Sequence, residues 1–128
     1  RRWKNFNEKI IKKIEDKIIS LSKDYMIIIT SDKTNFFIDN FSKKYGKLNV
    51  KCIFDSNIDD LISLVSNSLL LISSHSGLLV TVAASFKKPI IDIVSKDIFN
   101  ELDRWIPLNY KYKRYELSDI NELNVDFY

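Results

Sequence analysis

A short polar loop between an apolar segment and a helical segment carries the side chains best suited to chemistry. It contains Ser73, Ser74 and Ser76 together with His75, the only histidine of the chain, and Gly77, one of its two glycines. A glycine at the opening of a helix lets a ligand approach the backbone, and the N–H groups and dipole of the first turn attract an anion. The loop therefore predicts a site for a phosphate or diphosphate group.

The same residues also have simpler explanations, which the sequence leaves open. Ser74 or Ser76 is a good N-cap for the following helix, and Gly77 is a common tight-turn residue. His75 suits a polar loop as well as a site, and beside a helix N-terminus we expect a neutral, hydrogen-bonding imidazole. The only histidine, His75, is the immediate neighbour of Ser76, and the chain has no other histidine that could activate this serine. The sequence therefore argues against a serine triad.

Three further polar loops follow predicted strands. They are Ser31–Lys33, Asp55–Asn57 and Ser95–Asp97. In an open parallel sheet, ligands bind beyond the carboxyl ends of the strands, so these loops are the positions at which a ligand would meet further side chains.

An alternation of helices and strands positions these loops. Apolar residues recur at helical spacing in several segments, and short β-branched runs lie between them. The predicted strands cover residues 25–30, 50–54, 69–73, 90–94 and 111–115. The predicted helices cover residues 6–21, 36–45, 58–65, 77–86, 97–102 and 118–123. This order predicts the α/β class, with a Rossmann-like parallel sheet and helices on both faces.

Composition excludes several other classes of protein. The chain has 128 residues and a net charge of +3, enough for one domain with a core of its own. The single cysteine, Cys52, cannot form an internal disulfide, and one cysteine with one histidine cannot supply a zinc site. Asp59 and Asp60 diverge on a helix, so we interpret them as first-turn carboxylates and expect no metal. Acidic residues interrupt the basic cluster at Lys9–Lys17, and we predict no nucleic-acid partner.

Three familiar catalytic or nucleotide-binding signatures are missing, and no transmembrane segment is predicted. The sequence has no G-x-G-x-x-G, no P-loop and no G-x-S-x-G. Its apolar stretches are shorter than the roughly 18 residues that a transmembrane helix needs, and its start does not resemble a secretory signal.

Three segments resemble the family-9 glycosyltransferases, the ADP-heptose:lipopolysaccharide heptosyltransferases and their relatives. Residues Leu71–Ile91 are similar to the family's D-[ST]-G-x-x-H-x-A-A-A-x-x-x-P segment, through the matches Ser76, Gly77, Ala83 and Ala84, with Pro89 one residue later than the motif proline. The start, Arg1-Arg2-Trp3, resembles a K-x-W-P element, and Arg104–Leu108 resembles a W-x-P-x turn. His75 stands in place of the motif aspartate and Val80 in place of the motif histidine, so the sequence does not identify the donor sugar.

The resemblance implies the C-terminal lobe of a two-lobed GT-B enzyme, with residues 1–128 as a single nucleotide-sugar-binding domain of a longer chain. It implies no catalytic residue in this lobe and no cofactor or metal; the donor would be a nucleoside-diphosphate sugar such as ADP-heptose. The implied donor diphosphate and sugar contacts are Arg1, Ser74, His75, Ser76, Gly77, Leu78 and Lys96. The implied nucleoside-lining residues are Thr30, Ser31, Asp32, Lys33, Asp55, Ser56 and Asn57.

The implied partners are the sugar nucleotide and a bacterial lipopolysaccharide, lipooligosaccharide or related glycan, bound through an N-terminal lobe. The implied location is the cytoplasm, with peripheral association at the inner membrane left open. Two alternatives remain. One is the matching lobe of a GT-B-like sugar-nucleotide epimerase or hydrolase. The other is a non-catalytic α/β interaction module, in which the aromatic segment Trp105–Tyr115 docks a partner protein.

Overall fold

The computed structural model describes residues 7–31, 43–44, 48–74, 77–96 and 111–127. The chain divides into two compact units, Asn7–Asn57 and Ile58–Tyr128. Helices and parallel strands build both units, which confirms the predicted α/β class. The prediction that residues 1–128 form one domain stays a prediction.

The Asn7–Asn57 unit contains a helix and a two-stranded parallel sheet. Its elements are α1 (Glu8–Ser22), β1 (Ile27–Ser31) and β2 (Val50–Phe54). The helix begins where the Asn7 side chain accepts a hydrogen bond from the Ile10 N–H at 3.1 Å, which satisfies one of the N–H groups left over by the first turn. The strands pair in parallel with Ile27 opposite Val50.

The Ile58–Tyr128 unit contains a three-stranded parallel sheet in the order β3-β4-β5. Its elements are α2 (Ile58–Ser66), β3 (Leu71–Ser73), α3 (Gly77–Ser85), β4 (Ile90–Val94), β5 (Tyr112–Glu116) and a 3₁₀ helix (Leu117–Glu122). Because β3 and β4 are parallel neighbours joined through α3, these three elements form a βαβ unit.

The core of this unit lies between the sheet and its helices. Val65 of α2, with Val80 and Ala83 of α3, packs against Ile90 of β4. All five residues of β4 are buried, so the central strand is covered on both faces. The 3₁₀ helix contacts both β4 and β5. A strand such as Ile90–Val94, which is apolar except for Asp92, is the pattern expected at the centre of a parallel sheet.

The end of α3 is closed by a Schellman arrangement. The Lys88 N–H donates to the Ala83 carbonyl at 2.9 Å, and the Lys87 N–H donates to the Ala84 carbonyl at 3.0 Å. Lys87 adopts a φ of 57°, in the left-handed region where glycine is normally preferred. Pro89 follows and cannot continue the helix, so the chain turns directly into β4.

The C-terminal segment is held on β5 by one lysine. The Lys113 ammonium donates to the Asn124 carbonyl at 3.0 Å and also to the Asp126 carbonyl, and it lies 4.6 Å from the centre of the Phe127 ring. The Asn124 N–H donates to the Tyr115 hydroxyl at 3.2 Å. The chain after the 3₁₀ helix therefore folds back onto β5.

Two predicted strands begin later than the sequence suggests. The Tyr25 N–H donates to the Leu21 carbonyl at 3.0 Å, so the end of α1 takes Tyr25, which the sequence assigned to β1. The Ser68 N–H donates to the Val65 carbonyl at 3.1 Å, and this turn delays β3 from Leu69 to Leu71. In both places, hydrogen bonds at the end of the preceding helix determine where the strand begins, although the composition is apolar or β-branched.

The remaining elements agree with their predictions or lie outside the described residues. β2 and β4 have the predicted bounds, β5 begins and ends one residue later, and a 3₁₀ helix occupies the last predicted helical segment. The sequence predicted one parallel sheet, whereas the described residues form a two-stranded and a three-stranded parallel sheet. The predicted helix over residues 97–102 lies outside the described residues, as does that over 36–45 except for its residues 43–44.

Candidate functional site

Three of the residues implied for the donor diphosphate, Ser74, Gly77 and Lys96, lie at the carboxyl edge of the three-stranded sheet. β3 and β4 are parallel neighbours, with Ser73 opposite Asp92, so Ser74 and Lys96 follow strands that end at the same edge. The helix α3 begins at Gly77, only a short connection beyond β3. Ser74 is half-buried and Lys96 is exposed.

Of the other residues implied to contact the donor, the structure describes only Leu78. Leu78, in the first turn of α3, is 47% exposed. His75, Ser76 and Arg1 lie outside the described residues.

The backbone of Gly77 does not adopt the positive φ that favours glycine. It is the first residue of a right-handed helix, and no glycine in the described part of the chain has a positive φ. An alanine could therefore adopt the same backbone conformation. The property that distinguishes Gly77 at this position is the missing Cβ, which lets another group come close to the backbone.

The first turns of α2 and α3 differ in charge. The first turn of α2 contains two carboxylates, Asp59 and Asp60, which suit the positive end of its own dipole, as predicted. The first turn of α3 contains no acidic residue. The start of α3 is therefore the more favourable place for an external anion.

The sequence did not predict a buried polar cluster that Asp92, Tyr112 and Arg114 form on the helix-covered face of the three-stranded sheet. Asp92 is fully buried in the middle of β4, and the Tyr112 hydroxyl donates to its Oδ2 atom at 2.5 Å. The Arg114 Nε donates to the same hydroxyl at 3.2 Å, with the guanidinium 5.6 Å from the Tyr112 ring centre. Burial and the Asp92 hydrogen bond both raise the pKa of Tyr112 above its usual value, while Arg114 opposes the shift.

The only sequence signal for this cluster is one charge in an apolar strand. Asp92 interrupts the run Ile90–Val94, and a buried carboxylate requires partners. Tyr112 and Arg114 stand two residues apart on β5, where side chains share a face, and Arg114 is opposite Asp92. The cluster joins the middle of β4 to the first three residues of β5.

The residues implied for the nucleoside lie in the Asn7–Asn57 unit. Thr30 and Ser31 end β1, and Asp55, Ser56 and Asn57 follow β2. Because β1 and β2 are parallel and in register to their ends, all five belong to the carboxyl edge of that sheet.

The backbone at the end of β2 takes a tight turn. Asp55 has a φ of 51°, a left-handed conformation that aspartate tolerates better than most side chains. Asp32 and Lys33 lie outside the described residues. That a single ligand meets both this edge and the start of α3 stays a prediction.

The described residues offer neither a group of metal ligands nor a membrane-spanning helix. Among them, no three histidine, cysteine, aspartate or glutamate side chains form a group that could hold a metal ion. None of the described helices is long and apolar enough to cross a membrane. 

Comparison with protein-family models, with curated proteins and with solved structures finds no match to this chain. The likeness to family-9 glycosyltransferases therefore remains a resemblance in sequence motifs.

Proposed function

We propose that the Ile58–Tyr128 unit binds the diphosphate of a nucleoside-diphosphate sugar at the start of α3. In the proposed full-length protein, this binding serves a cytoplasmic glycosyltransferase that transfers the sugar to a bacterial lipopolysaccharide, lipooligosaccharide or related glycan. The observation that carries the proposal is the β3–α3–β4 unit, whose connecting helix begins at Gly77 at the carboxyl edge of the sheet.

The chemistry required of this lobe is to hold and stabilise a leaving diphosphate. The first-turn N–H groups of α3 donate hydrogen bonds, and the helix dipole favours negative charge at that end. Lys96 follows the neighbouring strand at the same edge and is exposed, so its ammonium can add a positive charge. Such fixed donors stabilise charge that develops on a leaving group without any movement of the protein during the reaction.

Two residues favour a donor that differs from the family's usual one. His75 and Val80 replace the aspartate and histidine of the motif that Leu71–Ile91 resembles. Val80 is buried in the core against Ile90, so it cannot contact a ligand in this arrangement. We therefore propose a nucleotide sugar other than ADP-heptose as an equal candidate and include several nucleotides in the test.

The test is an NMR titration of the whole chain with ADP, UDP, GDP and CMP, following the amides of Ser74 and Leu78. Inorganic phosphate and adenosine serve as ligand controls, since one has the anion alone and the other has the nucleoside alone. A matched protein control is Ser85→Ala at the far end of α3, where the Ser85 hydroxyl donates only locally to the Thr81 carbonyl at 2.9 Å. We expect saturable shifts with one diphosphate and the same affinity in the control variant.

Two outcomes contradict the proposal. Silence across the panel at millimolar concentration would remove nucleotide binding and favour the interaction module. Equal shifts with inorganic phosphate and with every nucleotide would indicate a non-specific anion site. If one nucleotide does bind, product analysis of the full-length protein with the corresponding sugar nucleotide separates glycosyl transfer from epimerisation or hydrolysis.

A further inference from the structure

The amino edge of the three-stranded sheet brings three connections of the Ile58–Tyr128 unit side by side. The Leu71 N–H, at the start of β3, donates to the Pro89 carbonyl at 3.0 Å. The Ile90 N–H, at the start of β4, donates to the Lys111 carbonyl at 2.9 Å. The residues that lead into the three strands therefore lie next to one another at one end of the sheet.

These connections carry positive charge. Lys87 and Lys88 precede β4, and Lys111 precedes β5; Lys87 and Lys111 are exposed, and Lys88 is half-buried. The connections that lead from α2 into β3 and from α3 into β4 contain no aspartate or glutamate. Asp126 is held further along β5, where its carbonyl accepts a hydrogen bond from Lys113. The amino edge therefore has the charge that attracts an anionic surface.

Two large apolar side chains stand among these lysines. Leu69, in the turn before β3, is 77% exposed, and Phe86, directly after α3, is 46% exposed. Hydrogen bonds fix the backbone at both places: the Ser68 N–H donates to the Val65 carbonyl at 3.1 Å, and the Phe86 N–H donates to the Val82 carbonyl at 3.2 Å. Apolar side chains gain free energy on entering hydrocarbon, which a lipid surface offers and a hydrated polyanion does not.

The turn that ends α3 does not itself explain the lysine at residue 87. Lys87 has a φ of 57°, a conformation that glycine adopts at lower cost. The backbone bonds of the turn come from the Lys87 and Lys88 N–H groups, which any residue except proline supplies. What a lysine adds at this position is its charged side chain.

We infer that the amino edge of the three-stranded sheet docks on the surface of an anionic phospholipid membrane. The lysine ammonium groups contact lipid phosphates, and Leu69 and Phe86 enter the boundary between headgroups and acyl chains. Each of the three lysines adds about fivefold to the partition coefficient, and each of the two apolar side chains adds about tenfold. The product is on the order of 10⁴ M⁻¹, the reversible binding expected of a single lipid anchor.

The candidate diphosphate site lies at the other end of the same strands. Lys88 and Lys96 are separated by the length of β4, about 26 Å, which exceeds the Debye length of about 8 Å at physiological salt. Docking through the amino edge leaves Ser74 and Lys96 facing away from the lipid. The inference therefore does not rest on nucleotide binding, and each can fail without the other.

The first experiment measures co-sedimentation of the whole chain with vesicles of phosphatidylcholine that contain about 30% phosphatidylglycerol. Half of the protein should bind at about 0.1 mM accessible lipid, the reciprocal of the expected partition coefficient. Vesicles of phosphatidylcholine alone should bind at least about tenfold more weakly, because the lysines then meet no net negative charge. Binding to the anionic vesicles should weaken as the salt concentration rises.

Paired variants separate the charge at the amino edge from charge elsewhere. Lys88→Gln should weaken vesicle binding about fivefold, while Lys96→Gln removes the same charge at the opposite edge and should leave it unchanged. Lys87→Gly should also weaken binding about fivefold, although it relieves a strained φ and should not destabilise the fold. Phe86→Ser should weaken binding about tenfold. Circular dichroism of each variant checks that the fold is intact.

The second experiment locates the contact with a bimane dye in a Cys52→Ser background. Asn67 is exposed in the turn before β3, so a dye on Asn67→Cys reports on the amino edge. Its emission should shift to shorter wavelengths when anionic vesicles are added, because the dye leaves water. The same dye on Lys96→Cys is the matched control at the carboxyl edge and should not shift.

Four outcomes overturn the inference. The first is no binding at about 1 mM anionic lipid, ten times the expected half-saturation. The second is equal loss of binding in Lys88→Gln and Lys96→Gln, and the third is equal dye shifts at residues 67 and 96. The fourth is tight binding to heparin together with unchanged vesicle binding in Phe86→Ser, which would assign the lysines to a hydrated polyanion.

Discussion

Substitution of Gly77 by alanine separates a role in the fold from a role in ligand binding. Gly77 is the first residue of α3 and has no need of a positive φ. Alanine is favoured over glycine by up to about 1 kcal/mol inside a helix, and the first turn realises part of this difference. We expect Gly77→Ala to raise the free energy of unfolding by about 0.5 kcal/mol, or the melting temperature by about 2 °C.

The same methyl group should weaken anion binding. A phosphate oxygen accepts a hydrogen bond from a backbone N–H at an N···O distance of about 2.9 Å. A Cβ atom at residue 77 would occupy space that the phosphate needs in order to reach the backbone. We expect at least a roughly tenfold loss of affinity for the diphosphate that binds best, which corresponds to about 1.4 kcal/mol. The assay pairs thermal unfolding by circular dichroism with the NMR titration of Ser74 and Leu78.

The two measurements give distinguishable refutations. If Gly77→Ala destabilises the protein by more than about 1 kcal/mol, the glycine is required by the local fold and our conformational argument is wrong. If the variant is stable and binds nucleotide as well as the original chain, close approach to Gly77 is not part of binding. Ser85→Ala should change neither quantity appreciably, because Ser85 lies at the opposite end of the helix.

Three further predictions concern stability. Tyr112→Phe should lower the free energy of unfolding in urea by about 1–3 kcal/mol, because the buried Asp92 carboxyl group loses its hydroxyl donor. Tyr115→Phe removes an exposed hydrogen bond and should lower it by about 1 kcal/mol at most. Because the pKa of Tyr112 is raised in the folded state, the stability that its protonated hydroxyl contributes is complete below pH 10 and declines as the pH rises further. The free energy of unfolding should therefore fall less steeply above pH 10 in Tyr112→Phe than in the original chain or in Tyr115→Phe. Lys87→Gly should raise the melting temperature by about 2–4 °C, since it relieves a φ of 57°, and Lys88→Gly should not.

Sequence patterns located most described helices and strands because their signals are local. The run Ile90–Val94, opened by Pro89, gives β4 residue for residue, and Val50–Phe54 gives β2. The errors at the starts of β1 and β3 also have a local cause. Apolar composition does not reveal that the preceding helix continues into a hydrogen-bonded turn, as at Tyr25.

Strand pairing and buried polar partners were less accessible to sequence reasoning. Hydrophobic periodicity predicts that a strand is buried, but it does not encode which strand lies beside it or in which register. Asp92 acquires its partners only because β4 pairs with β5, and Tyr112 lies twenty residues further along the chain. The candidate loop at Ser74 was found because its polar residues follow a strand directly.

The buried cluster also bears on the charge at the proposed site. An anion at the start of α3 would share the helix-covered side of the sheet with the carboxyl group of Asp92, and an uncompensated negative charge there would oppose binding. The Tyr112 hydroxyl donates to that carboxyl group, and the Arg114 guanidinium stands beside the tyrosine. These two side chains therefore hold the Asp92 carboxyl group within the sheet, while the phosphate contacts that we propose come from the first turn of α3 and from Lys96.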